Sequence, residues 1–210
     1  MKRLIPVLLL AVFAFAGCEK EPDMGKLDSK YLVYTNYDKQ ANFKQFSTYY
    51  LPDSILLIGN TAKPEYWKGA EADEILNAYA KNLEARGYTP AANKASADLG
   101  VQVSYILSTH YFTDYGQPEW WWNYPGYWGS GYWGNWGGWY YPYAVNYSYS
   151  TNSFITEIVN LTTDEGAGKK IPVLWTSYMS GIDYSTSVNK TLVVAAVNQA
   201  FTQSPYLTKK

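Results

Sequence analysis

The chain has 210 residues, and its 17 basic and 18 acidic side chains give a net charge of −1 at pH 7. This length predicts one domain with a sizeable core, and the charge excludes a protein that binds nucleic acid through a strongly basic surface. A single cysteine and a single histidine exclude an internal disulfide framework and a zinc site built from several of these ligands.

The N-terminal segment reads MKRLIPVLLLAVFAFAGC, with Lys2 and Arg3 ahead of a 12-residue apolar run that ends at Phe15. As a helix this run rises about 18 Å, which is well short of the ~30 Å hydrocarbon core of a bilayer. The pattern therefore predicts a secretory signal peptide over residues 1–17.

The Phe-Ala-Gly-Cys sequence that ends this segment resembles the bacterial lipobox, although Phe15 stands where leucine is usual. The resemblance implies cleavage after Gly17 and acylation of Cys18, which would anchor the mature chain in a membrane. The alternative is an ordinary signal peptide with a cysteine near its cleavage site. We expect an outer membrane lipoprotein of the bacterial cell envelope, on the periplasmic face or the cell surface, with residues 18–29 as a polar tether.

Short strands and a helix are predicted in the first half of the remaining chain. Residues 31–34 and 46–51 are rich in aromatic residues and are bounded by Asn, Asp and Pro, which favours strands. Residues 71–86 carry an apolar stripe with helical spacing, acidic residues in the first turns and Gly87 after the last turn, which predicts a helix. Residues 99–108 alternate between apolar and polar, which predicts a half-buried strand.

The second half contains two further strands and a final helix. Residues 154–161 and 173–179 have strand composition, with a turn between them. Residues 188–203 are predicted to form a helix, with Ser187 as its N-cap and Pro205 beyond its end. The order of elements predicts an α+β two-layer sandwich, in which an antiparallel or mixed sheet carries both helices on one face. We expect a single domain over residues 30–208.

Several segments resemble bacterial lipoproteins that carry domain of unknown function 4136 (DUF4136). They are NFKQFSTYYLPD (42–53), LEARGY (83–88), ADLGVQVSYI (97–106), FITEIVNLTTD (154–164), PVLWTSYMSG (172–181) and SPY (204–206). The resemblance implies an envelope lipoprotein with an α+β fold and no established enzymatic activity, and it carries no catalytic residue over to this chain.

An aromatic insertion at about residues 110–148 separates the two halves. No charged residue occurs from Trp120 to Thr156, and GYWG occurs at residues 126–129 and again at 131–134. This repeat fits neither a strand nor a helix period, so low complexity is expected rather than a regular element. Seven tryptophans of the insertion form the candidate contact surface: Trp120, Trp121, Trp122, Trp128, Trp133, Trp136 and Trp139.

Four interpretations of the insertion stay open. The rings collapse on each other and on the sheet without a ligand, contact another envelope protein or a second copy, stack on glycan rings, or lie in the membrane interface beside the lipid anchor.

Residues with catalytic chemistry are sparse, so we expect no enzymatic activity, no cofactor and no metal. The one histidine, His110, enters the insertion with Asp114 four residues later, which is a poor platform for a catalytic triad. The carboxylates Glu71, Asp73 and Glu74 are interpreted as helix-start charges, and Asp98 as a turn or cap residue.

Overall fold

A computed structural model describes residues 31–58, 65–107, 139–140, 142, 152–163, 171–181 and 190–210. The predicted signal peptide, Cys18, the tether and most of the aromatic insertion lie outside these residues. None of the helices in the described ranges has the length and hydropathy needed to cross a membrane.

The described elements are nine strands and two α-helices. In chain order they are β1 (Leu32–Tyr37), β2 (Thr48–Tyr50), β3 (Ile55–Ile58), β4 (Glu65–Trp67), α1 (Ala70–Ala85), β5 (Thr89–Pro90), β6 (Leu99–Ile106), β7 (Trp139–Tyr140), β8 (Ser153–Asn160), β9 (Ile171–Ser180) and α2 (Lys190–Thr202). The five predicted strands and both predicted helices are present, and the sequence did not predict β3, β4, β5 or β7.

The strands form a mixed sheet in the order β1-β9-β8-β6-β2-β5. Its centre is antiparallel, because β8 pairs with both β6 and β9 and β1 pairs with β9. Strands β2 and β3 both pair in parallel with β6, at its two ends: Tyr49 opposes Leu99, and Leu57 opposes Tyr105. The sheet and two helices confirm the predicted α+β sandwich.

Both helices lie on one face of the sheet, which we call the helix face. From α1, Tyr79 accepts a 2.6 Å hydrogen bond from the Thr156 hydroxyl of β8. From α2, Phe201 packs on Trp175 of β9 with ring centroids 5.5 Å apart. These four side chains are fully buried, so the main core lies between the sheet and the helices. The half-buried Arg86 also lies over the Phe201 ring.

Helix α1 ends in a Schellman motif. The Gly87 N–H donates to the Glu84 carbonyl and the Tyr88 N–H to the Leu83 carbonyl, at 2.9 and 3.2 Å. Gly87 has φ +94°, a left-handed conformation that favours glycine. The predicted role of Gly87 after the last helical turn is confirmed.

The prediction that β6 is half-buried is wrong, because all eight of its residues are buried. Gln102 and Ser104 point away from the helices, yet they are only 3% and 0% exposed. The alternation correctly separates the two faces of the strand, but a polar face is excluded from water when another layer covers it. We call the face opposite the helices the distal face. Its residues are Tyr34, Asn36, Gln102, Ser104, Ile155, Glu157, Thr176 and Tyr178.

Candidate functional site

Most of the residues singled out from the sequence lie outside the described ranges. These are Cys18, His110, Asp114 and the tryptophans at positions 120, 121, 122, 128, 133 and 136. Trp139 is described, and its backbone pairs in parallel with Ile171 as part of β7. The expectation that the insertion holds no regular element is therefore corrected for residues 139–140, because pairing with β9 gives even two residues a strand conformation.

The residues that flank the aromatic insertion are held on neighbouring strands. The Asn152 N–H donates to the Ile106 carbonyl at 2.9 Å, and Ser153 opposes Ile106 in the β6–β8 ladder. The Tyr105 hydroxyl donates to the Asn152 side-chain oxygen at 3.2 Å. Asn152 has φ 60°, a left-handed conformation that asparagine tolerates better than most residues. The described residues that flank the insertion therefore lie side by side on the sheet.

A polar row crosses the distal face. The ladder registers place Asn36, Thr176, Glu157 and Gln102 next to one another on strands β1, β9, β8 and β6. Glu157 is only 1% exposed, and Thr176 is fully buried. Each of these four residues engages at least one polar or electrostatic partner, and Gln102 donates to the Val103 carbonyl at 2.9 Å. A buried carboxyl group needs a polar or electrostatic partner, because its loss of water is otherwise unfavourable.

The sequence interpretation missed this row. The signal was Glu157 itself, a lone charge inside the apolar strand FITEIVNL. The alternation of β6 assigned Gln102 to a solvent-facing side, and neither strand by itself reveals that the two residues are neighbours. Only the ladder register brings them together.

The carboxylates near the start of α1 have structural roles. Glu71 and Asp73 lie in the first turn, where the helix dipole favours anions, as predicted. Glu74 forms a 3.1 Å ion pair with Lys190 at the start of α2, and both side chains are substantially exposed. Asp73 and Glu74 border a groove between the two helices, whose lining also includes Asn77, Lys81 and Asn198.

Asp98 fastens β2 to the start of β6. One of its carboxylate oxygens accepts hydrogen bonds from the N–H groups of Ser47 and Thr48, at 2.7 and 3.0 Å. Its own N–H donates to the Thr48 hydroxyl at 2.9 Å. The predicted turn or cap bond is not what the carboxylate makes: its partners are distant in sequence and belong to the segment that begins β2, so it holds the backbone of another strand.

Buried phenols lie beneath the helices and at the β2 edge of the sheet. Burial raises the pKa of Tyr79 and of Tyr88. Burial, followed by the negative charge of Glu84, raises the pKa of Tyr49. These phenols stay protonated at neutral pH and act as hydrogen-bonding groups; Tyr88, for example, donates to the Phe43 carbonyl at 3.1 Å. Within the described part of the chain, no three His, Cys, Asp or Glu residues cluster as metal ligands would.

The comparisons with known proteins agree with this architecture. A family model described as a domain of unknown function, DUF4136, matches residues 33–206. The chain belongs to the DUF4136 family. The crystal structure of a DUF4136 family protein from Bacteroides thetaiotaomicron VPI-5482 is similar to this DUF4136 chain, with 69% sequence identity and a TM-score of 0.80. That alignment covers 87% of this chain and 100% of the other. A comparison with curated proteins finds no match.

Proposed function

We propose that this DUF4136 protein is a non-enzymatic lipoprotein of the bacterial cell envelope that uses its aromatic insertion to contact another envelope component. In this proposal Cys18 supplies the acyl anchor, residues 18–29 act as the tether, and the sheet with its two helices is the scaffold. Removal of residues 1–17 leaves 15 basic and 18 acidic residues, so the mature charge is −3 and gives no support to a nucleic acid partner.

The observation that carries the proposal is the placement of the insertion. Ile106 and Ser153, which flank it in the chain, oppose each other on β6 and β8, two long strands of the sheet. A rigid scaffold of this kind holds a binding segment in a fixed position, and binding residues are often found on loops supported in this way.

The composition of the insertion supports a contact role. Burying one indole removes roughly 200 Å² from water, which is worth about 5 kcal/mol at ~25 cal/mol per Å². Seven tryptophans within a charge-free run would form an apolar patch larger than monomeric proteins usually expose. Rings that do not pack on their own chain therefore favour a partner.

A glycan is the second candidate partner. Three consecutive tryptophans, Trp120 to Trp122, offer flat apolar faces on which sugar rings can stack. Tryptophan fluorescence distinguishes this candidate from the membrane interface. A change in emission with oligosaccharides favours glycan binding, whereas a blue shift only with liposomes favours the interface.

Cross-linking in intact cells tests the contact role. A photo-reactive amino acid at position 133, in place of Trp133, is expected to trap one defined envelope component. The matched control carries the same probe in place of the exposed Lys39 and is not expected to trap that component. The proposal fails if the two positions trap the same set of molecules, or if Trp133 traps none.

The anchor is tested separately by Cys18→Ser. We expect mass spectrometry of the parent protein to find an acylated Cys18 as the first residue, and the variant to leave the membrane fraction. An unmodified Cys18 in a chain that retains residues 1–17 would contradict the lipoprotein assignment.

A further inference from the structure

We propose that the groove between α1 and α2 binds a short linear peptide, about three or four residues long, through its free amino and carboxyl ends. The described lining of this groove comes from the two helices alone. The inference therefore does not depend on the contact role of the aromatic insertion, and the two are tested by different experiments.

Two contacts between the helices define the direction of the groove. Glu74 of α1 forms an ion pair with Lys190 of α2, and eight residues further along both helices Asn82 donates to the Asn198 side-chain oxygen at 2.8 Å. The two helices therefore run in the same direction, and the groove between them has one end near their N-terminal turns and one end further along.

Small side chains leave room between the helices. The lining of the groove includes Ala70 and Ala78 from α1 and Val194 from α2. An alanine side chain ends at its β-carbon, so these positions do not fill the space between the helices, and a groove of about 590 Å³ results. Pockets that bind small ligands have volumes of roughly 300–1,000 Å³. The groove is therefore large enough for a small ligand.

One wall of the groove carries an ordered series of charges. Asp73, Asn77 and Lys81 of α1 line it at intervals of four residues. Residues four apart lie on the same face of a helix, so the wall presents a carboxylate, an amide and an ammonium group in that order. At 1.5 Å per residue, the backbone positions of Asp73 and Lys81 are about 12 Å apart. The wall is negative at one end and positive at the other.

The side chains of this series are available to a ligand. Asp73, Asn77 and Lys81 are exposed, and within the part of the chain that the structure describes their side chains form no hydrogen bond or ion pair. The neighbouring Glu74 differs, because Lys190 already neutralises it at 3.1 Å. Asp73 is therefore the carboxylate that can accept a positive group from a ligand at this end of the groove.

A linear peptide with free ends has the matching charges and length. Its amino end is positive and complements Asp73, and its carboxyl end is negative and complements Lys81. Three or four extended residues span roughly 10–14 Å, which matches the separation of about 12 Å between the two charged positions. The amide of Asn77 lies between the two ends and can both donate to and accept from a peptide backbone.

The opposite wall contributes a further amide. Asn198 of α2 lines the groove, and its side-chain oxygen accepts the hydrogen bond from Asn82. Its N–H groups are therefore the donors that it can offer to a peptide carbonyl. A neutral oligosaccharide fits the groove less well, because it has no charge to complement Asp73 or Lys81, and the described lining holds no aromatic ring for stacking.

Nuclear magnetic resonance of the isotope-labelled purified protein with trialanine tests the site. We expect trialanine to shift the side-chain N–H signals of Asn77 and Asn198, which Asn77→Ser and Asn198→Ser identify by their loss. N-acetyl-trialanine and trialanine amide each lack one terminal charge. We expect each to have a dissociation constant about two- to fivefold higher, the range for losing one exposed charge pair.

Three results of this titration would overturn the proposal. They are equal affinities for trialanine and both capped forms, trialanine shifts that spare Asn77 and Asn198, and shifts of these two signals by maltotriose but not by trialanine. The last result would indicate a saccharide site.

Variants of the two charged residues assign the ends of the peptide. Asp73→Asn should remove the preference for trialanine over its N-acetyl form and keep the preference over the amide, and Lys81→Met should do the reverse. Both residues are exposed, so we expect both variants to fold. The matched control is Glu71→Gln, which removes an exposed carboxylate from the same helical turn but outside the described lining. Glu71→Gln should keep both preferences, and an effect as large as that of Asp73→Asn would contradict the assigned site.

Discussion

At the scale of single residues, polar side chains join elements that are distant in sequence. Asp98 and Ser47 are 51 positions apart, and Tyr79 and Thr156 are 77 apart, yet each pair is hydrogen-bonded. Removing one partner of such a bond leaves the other polar group in an environment with little water, which costs more than the net value of the bond. These residues have structural roles that a search for catalytic carboxylates would misinterpret.

Asp98→Ala is expected to lower the free energy of unfolding by about 1–3 kcal/mol, because two backbone N–H groups lose a charged acceptor. The matched control is Asp53→Ala, which removes an exposed ion pair with Lys68 and should cost less than about 1 kcal/mol. Urea denaturation measures both values. Equal costs for the two variants would contradict the assigned role of Asp98.

At the scale of elements, the C-terminal end of α1 is held by the last residues of the chain. Arg86 donates to the Phe201 carbonyl at 2.6 Å, and its guanidinium lies 4.8 Å from the Phe201 ring centroid. Lys210 donates to the Ala85 carbonyl at 2.9 Å, where a cation complements the negative end of the helix dipole. The tail thereby caps α1, and Arg86 ties α1 to α2.

Gly87→Ala tests this junction. The added methyl group would meet the Lys210 side chain at 3.2 Å in addition to the strain of a left-handed φ, so we expect a loss of about 1–2 kcal/mol in the free energy of unfolding. Gly69→Ala is the control, since Gly69 also has a positive φ but nothing lies within 4 Å of its added Cβ. Deletion of Lys210 in the Gly87→Ala background should relieve the contact and leave a cost close to that of the control. No relief would indicate that strain alone determines the effect.

At the scale of the whole molecule, the fold excludes water from several phenols at once. Burial raises the pKa values of Tyr49, Tyr79 and Tyr88 above the value of about 10 found in an unfolded chain. The unfolded chain therefore releases these protons at a lower pH than the folded protein does. The resulting stabilisation is complete below pH ~10 and is lost as pH rises through the folded-state values.

We therefore expect these tyrosines to contribute no change in the denaturation midpoint between pH 7 and 9. Above pH ~10 their contribution is lost, and the midpoint should fall steeply. Tyr88→Phe removes one of the three phenols and should make the alkaline fall shallower. The same variant should differ from the parent by a constant amount between pH 7 and 9. An alkaline slope unchanged by Tyr88→Phe would contradict the effect of burial on this group.

Deletion of residues 112–148 tests how the insertion contributes to the whole. The remaining seven residues between Leu107 and Asn152 are enough to close the β6–β8 connection, and the helix-face core keeps its residues. We expect the shortened chain to fold with the same circular dichroism bands as the parent, because the core between the sheet and the helices is made by residues outside the deleted segment. Failure to fold would make the insertion part of the core.

Local patterns determined much of this protein. The apolar stripe and Gly87 defined α1 to within one residue at each end, since helix hydrogen bonds and caps involve near neighbours in sequence. The sequence also predicted the long strands β6, β8 and β9, and it showed the DUF4136 resemblance. It did not predict β3, β4, β5 or β7, which have two to four residues each, because such short strands are stabilised by their partners rather than by their own sequences.

Only the tertiary structure decided which polar residues are buried. The alternation of β6 determined that Gln102 and Ser104 share a face, but not what covers that face. The row that contains Glu157 and Thr176 exists only through pairing among four strands, which is non-local. Side-chain direction follows from the backbone of one strand, whereas burial depends on what packs against it, and for that reason the sequence determined the faces and the fold determined their environment.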